Sequence, residues 1–340
     1  MARYLWVKIV FLSGVALAGC GGSGGGSDGP ATDVPAGSSD SGEEGVLPSA
    51  DGAEVAGDDP MLQFTNATCE KLEECGPLFL KMYFGDLEAC REREYETVLP
   101  MGSLPGMDTD WAACAVATEE MTCAEFVRQH IGEALEDAAC GWSATLQDGE
   151  PCTHPFQCES RICARPAGAS CGTCAEPLEA GADCEDSNLL GSPCGIGSKC
   201  AEGKCVALGD VGDPCDPASA PCFSDLGCVD GTCGPPRQSG EPCTSLAGEC
   251  DFYGQGLVCH LVLGTCTALT LAGPGEPCGL TETAATVCSL GNCYPSQIAG
   301  TCTAQVGDGE PCDTAAGPDC LIHAQCVGGT CEEFFTPACP

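Results

Sequence analysis

Cys171-Gly172-Thr173-Cys174 has the spacing of a thiol–disulfide redox couple. Such a couple works at a helix N-terminus inside a βαβ unit. Here the flanking sequence is a Gly- and Pro-rich repeat, which points to structural cysteines. The four histidines, His130, His154, His260 and His323, are far apart in the chain, with no H-E-x-x-H pattern among them. Gly21-Gly22-Ser23-Gly24-Gly25 matches the G-x-S-x-G nucleophile pattern in form only, because neither a strand nor a helix flanks it. Asp183, Glu185 and Asp186, and likewise Asp210, Asp213 and Asp216, are dense acidic groupings. Calcium takes six to eight oxygen ligands, and neither grouping completes such a loop. The expectation is therefore no catalytic residue, no structural metal, and no cofactor beyond weak calcium binding. Arg161 and Arg165 are the basic residues that an inhibitory loop of the first repeat would present to a protease.

The cysteines carry more information together than in any pair. There are 33 of them in 340 residues, with 47 Gly and 25 Pro but only 10 Phe, 5 Tyr and 3 Trp. A core poor in aromatic rings is thin, and cysteine at this density is where disulfides replace it. Such a chain belongs in an oxidising compartment. With 12 basic against 50 acidic residues and a net charge of −38, it lacks the clustered cations that nucleic acid requires.

The N-terminus supplies an address. Arg3 and Lys8 precede an apolar run over 9–18, shorter than the about 20 residues that span a bilayer. This reads as a signal peptide over 1–19. Leu17-Ala18-Gly19-Cys20 resembles the lipobox of bacterial lipoproteins. The resemblance implies cleavage before Cys20 and acylation of its thiol and new amino group. Setting Cys20 aside leaves 32 cysteines, the even number a fully bonded protein needs. Residues 20–60 are rich in Gly, Ser and Asp and show no hydrophobic period, so they read as a tether. Forty such residues span about 35 Å root-mean-square.

From 61 to 145 the texture is helical. Asp86 is placed to cap a helix reaching about Leu99, and Asp108 or Asp110 to cap one over Trp111–Glu120. Thr122-Cys123-Ala124-Glu125 is a capping-box pattern opening a third, to about Glu136. Six cysteines, 69, 75, 90, 114, 123 and 140, read as three disulfides joining short helices. The segment resembles Cys-rich helical regions found beside disulfide repeats in predicted lipoproteins of myxobacteria.

Residues 146–340 hold six repeats. Their first cysteines fall at 152, 184, 215, 243, 278 and 312, a step of 28 to 35 residues. The later units have four cysteines each: 184, 194, 200 and 205; 215, 222, 228 and 233; 243, 250, 259 and 266; 278, 288, 293 and 302; 312, 320, 326 and 331. Openings recur as Gly-Glu-Pro-Cys, at Cys152, Cys243, Cys278 and Cys312, and closings as Gly-Thr-Cys. Four cysteines allow three connectivities, of which first-to-third with second-to-fourth is favoured. Each unit is too small for a core and predicts short β-hairpins stapled by disulfides. Repeats of this kind are expected to fold on themselves and their neighbours.

Cys152, Cys158, Cys163, Cys171 and Cys174, followed by Cys184, Cys194, Cys200 and Cys205, resemble the Dickkopf N-terminal cysteine-rich domain over residues 152–205. That family has an adjacent Cys-Cys where this chain has the single Cys194, so the first unit holds an odd cysteine. Cys339 can balance it if the array folds back; reshuffled pairing among neighbours is the alternative. Animal members antagonise Wnt receptors, an activity not carried over to a bacterial lipoprotein.

The combined expectation is a small disulfide-stapled α-helical domain followed by small disulfide-rich repeats, lipid-anchored on the bacterial outer membrane or cell surface. It would be a non-enzymatic scaffold or binding protein with an unknown protein or glycan partner. A protease-inhibitor-like module and an envelope thiol oxidoreductase are the alternatives. Cys20→Ser should abolish acylation. Detergent-phase partitioning that is unchanged in that variant refutes the lipobox.

Overall fold

The computed structural model describes residues 59–130, 133, 143–165, 171–184, 189–190, 193–245, 248–281, 284–294, 299–313, 316–321, 324–333 and 339. The signal peptide, Cys20, the tether up to residue 58, Cys140 and His323 lie outside them. Five helices come first: α1 (Pro60–Cys75), α2 (Pro77–Tyr83), α3 (Leu87–Met101), α4 (Trp111–Glu120) and α5 (Cys123–His130). Their starts are set by short polar side chains that satisfy the free N–H groups of a first turn. Asp59 accepts from Met61 N, Asp86 from Ala89 N and Asp110 from Ala113 N. Thr122 and Glu125 close their capping box in both directions, at 2.8 Å and 3.3 Å. Cys69–Cys90 and Cys75–Cys123 join α1 to α3 and to α5. Cys114 is fully buried on α4.

The repeats are built from one device. In each, the last two strands form an antiparallel hairpin whose cysteines stand opposite each other: Cys200 and Cys205, Cys228 and Cys233, Cys259 and Cys266, Cys293 and Cys302, Cys326 and Cys331. The tightest hairpins turn on two residues, Glu202-Gly203, Asp230-Gly231 and Gly328-Gly329, all at positive φ. That is the turn whose twist matches the strands. The opposed cysteines do not bond to each other. The first cysteine takes the third: Cys184–Cys200, Cys215–Cys228, Cys243–Cys259, Cys278–Cys293 and Cys312–Cys326. The second takes the fourth: Cys194–Cys205, Cys222–Cys233, Cys250–Cys266, Cys288–Cys302 and Cys320–Cys331.

The recurring opening also has a job. Its glycine sits at φ of +76 to +93° in all six repeats, a region that side chains avoid. Its N–H reaches the carbonyl of the repeat's last cysteine at 2.8 Å, as from Gly149 to Cys174 and from Gly309 to Cys331. The acid that follows accepts from the N–H three residues earlier, as Glu150 does from Gln147 and Glu310 from Gly307. Part of the acid excess is thus spent on turns.

The first repeat pairs Cys152–Cys163 and Cys158–Cys174 through β3 (Pro151–Cys152), β4 (Cys163–Ala164) and β5 (Gly172–Cys174). Its odd cysteine, Cys171, bonds to Cys339 across 168 residues. The array folds back and closes on itself.

Repeats four and five merge, against the expectation of separate hairpins. Here β11 (Leu257–His260) and β12 (Thr265–Ala272) belong to the fourth, and β13 (Pro277–Leu280), β14 (Ala285–Cys288), β15 (Gly291–Tyr294) and β16 (Ala299–Ala304) to the fifth. They form one six-stranded sheet, ordered β11-β12-β14-β13-β16-β15. The join is the parallel pair of β12 and β14, with Thr270 and Thr286 hydroxyls 2.8 Å apart. In repeats one, three, four and six the segment before the unit makes a single parallel bridge at the second cysteine, as Gly209 does to Cys222.

The repeats do not stand alone. Gln157 of the first donates to Pro105 O at 2.7 Å, and Phe156 packs on Val98, Met101, Leu104 and Trp111. Gly197 N of the second donates to Glu133 O. Phe223 of the third lies under the Arg128 guanidinium, 4.2 Å from its centroid, and Arg128 pairs with Asp225 and Asp210. Tyr253 of the fourth stacks on Phe79 at 5.0 Å and Phe252 meets it edge-on at 5.3 Å. Ser289 and Leu290 of the fifth donate to Lys81 O and Met82 O. Repeats one to five each touch the helices, which act as their hub, and Phe79, Phe156, Phe223, Phe252 and Tyr253 lie at that seam.

Phe79 is 2 % exposed beneath both rings of repeat four. Phe79→Ala should cost about 3–5 kcal/mol in denaturant unfolding of the oxidised chain. Hydrogen exchange should accelerate in residues 250–266 as well as in the helices. Acceleration confined to the helices refutes the coupling.

Candidate interaction surface

The cysteines proposed for chemistry are used in the frame. Cys171 and Cys174 bond to different partners, so they do not form a couple with each other. The inhibitory-loop candidates are held inward: Arg165 is buried, and half-buried Arg161 donates to Phe156 O and lies over the Phe156 ring. The acidic groupings serve turns and ion pairs. Asp216 accepts from Ala218 N and Ser219 N, Asp213 accepts from Asp210 N, and Asp183 pairs with Lys204. Glu185 and Asp186 lie outside the described residues.

The described histidines are also structural. His130 stacks on Phe126 at 5.2 Å, and burial pushes its pKa down to about 4. His154 caps the short helical turn Pro155–Gln157 through Nδ1, and burial holds it well below the usual range. The small void beside His130, about 10 Å³, has room for one water at most.

What the fold leaves unused is apolar. The loop from Leu261 to Gly264 joins β11 to β12, and it exposes three adjacent side chains: Leu261 at 52 %, Val262 at 73 % and Leu263 at 51 %. Single exposed apolar residues are ordinary, but contiguous ones mark contact surfaces. Both flanking strands are anchored, by Cys243–Cys259 and Cys250–Cys266. Beneath the loop, His260 is 2 % exposed. Its Nε2 lies 2.9 Å from Thr281 O and its Nδ1 accepts from Leu263 N, so both ring nitrogens are held by backbone. Gly264, at φ +65°, returns its N–H to His260 O at 2.7 Å. A groove of about 340 Å³ opens between this tip and Leu280 and Thr281.

Charge is missing from the stretch of chain that carries the loop. Residues 252–275 include no Asp, Glu, Lys or Arg, in a chain of net charge −38. Reading cysteine spacing and turn motifs overlooked this tip. The available signal was the loop itself: where the third repeat has Asp230-Gly231 between its last two cysteines, the fourth has Leu261-Val262-Leu263-Gly264. The chain matches no family model, no curated protein and no solved structure.

Buried titratable groups give the fold a pH signature. Glu94 on α3 is 5 % exposed, and burial pushes its pKa up to about 7. The folded chain therefore binds this proton where the unfolded chain has released it. Stability from this group is complete at low pH and is lost as pH rises from about 4.5 to about 7, on the order of 3 kcal/mol. His130 acts oppositely, with stability lost as pH falls from 6.5 towards about 4. Glu94→Gln should melt higher than the wild type at pH 8 and equally at pH 4. The same difference at both values rules out the assignment.

Proposed function

We propose that the chain is a lipid-anchored, extracytoplasmic scaffold or binding protein of the cell envelope that acts without catalysis. The observation that carries this reading is the braced Leu261–Leu263 tip. It is an exposed apolar loop held by two disulfides and a buried histidine, on a body whose described cysteine pairs and histidines are committed to structure. The extensive disulfides fit an oxidising, extracytoplasmic setting. No helix among the described residues is long and apolar enough to cross a membrane, so retention at a membrane would rest on lipidated Cys20. The Dickkopf-like cysteine pattern enters this reading as a likeness of framework.

The test is fractionation of cells expressing the full chain, with alkylation of the native protein before denaturation. The expected result is an envelope-associated protein with Cys171 and Cys174 unlabelled. Stoichiometric labelling of either cysteine overturns the scaffold reading and favours the oxidoreductase.

A further inference from the structure

The tip at Leu261–Leu263 has an occupant that its surroundings specify. Residues 20–58, between the expected lipid-bearing Cys20 and the start of α1, are enough chain to reach at most about 130 Å at 3.3–3.6 Å per residue. A folded body of this size is roughly 50 Å across. The tether therefore lets any face turn towards the membrane, and the body's own surface must decide which one does.

Charge makes that choice. Carboxylates are repelled by anionic lipid within a Debye length of about 8–10 Å, and the chain carries 50 acidic residues. The stretch 252–275 has none, and from 276 to 307 the charged residues are Glu276 and Glu282 alone. The chain of repeats four and five from 252 to 307 is thus poor in carboxylates, and it bears the exposed apolar loop. A tip already fixed by Cys259, Cys266 and His260 loses little conformational freedom on insertion.

We propose that Leu261, Val262 and Leu263 insert into the interfacial layer of the phospholipid membrane that anchors the chain, laying repeats four and five against it. The proposal rests on the lipid-anchor reading, and the experiment separates the two. The full acylated chain is reconstituted with phosphatidylcholine vesicles whose acyl chains carry bromine, a contact quencher of tryptophan. Val262→Trp should lose emission, whereas Val116→Trp, exposed on α4, should not. Flotation of the wild type with the vesicles, compared with Cys20→Ser, reports the anchor by itself. Flotation without quenching at position 262 overturns the tip contact and leaves the anchor standing. Quenching without any dependence of flotation on Cys20 supports the contact and removes the anchor. Equal quenching at positions 116 and 262, or none at any lipid concentration, overturns the proposal. So does a photo-reactive group at position 262 that crosslinks in the envelope to protein and not to lipid.

Discussion

In every four-cysteine repeat, two cysteines face each other across a hairpin and each bonds elsewhere. The rest of the structure depends on that arrangement. Opposed side chains on one face of an antiparallel pair lie close together, so the hairpin offers two sulfurs side by side. The preceding loop brings the first cysteine to one and the second cysteine to the other. Two bonds thus fix one hairpin to its own lead-in, and a unit of about 30 residues needs no core of its own. The glycine of each opening, with the acid that follows it in five of the six, fixes the turn that leads into the first cysteine.

A frame made this way needs few apolar residues inside each unit, such as Leu257 in the fourth, and its aromatic ones are used between units. Phe156, Phe223, Phe252 and Tyr253 all turn to the helical hub. The helices in turn are short, and several of their buried side chains are covered by repeats. Hub and ring therefore complete one another. The buried carboxylate of Glu133 shows the same dependence in polar form: the Ser224 N–H and hydroxyl, at 2.7 and 2.6 Å, come from the third repeat, and burial raises its pKa.

Local rules were legible in the sequence and long-range ones were not. The repeat period, the helix cap at Asp86, the capping box at Thr122 and the hairpins follow from residues within a few positions of each other. The hub contacts join residues such as Arg128 and Asp225 that are 97 positions apart, and no local pattern announces them. A trace is visible in hindsight, since Phe223, Phe252 and Leu290 each fall one or two positions after the second cysteine of their repeat. The parallel join of β12 and β14 was hidden for another reason. An alternating Thr and Leu run fits an isolated hairpin as well as a shared sheet, and tertiary packing decides between them. The exposed tip was hidden by the opposite habit, that of reading Leu and Val as interior.

The Cys171–Cys339 bond has a consequence for resistance to proteolysis. It makes the chain between those residues a covalent circle. A protease that cuts once at any linker inside the circle opens the backbone without separating the two pieces. One piece keeps Cys171 and the other keeps Cys339, and that bond holds them together. Release of a fragment requires a second cut on the far side of a seated repeat, or reduction of the closing bond first.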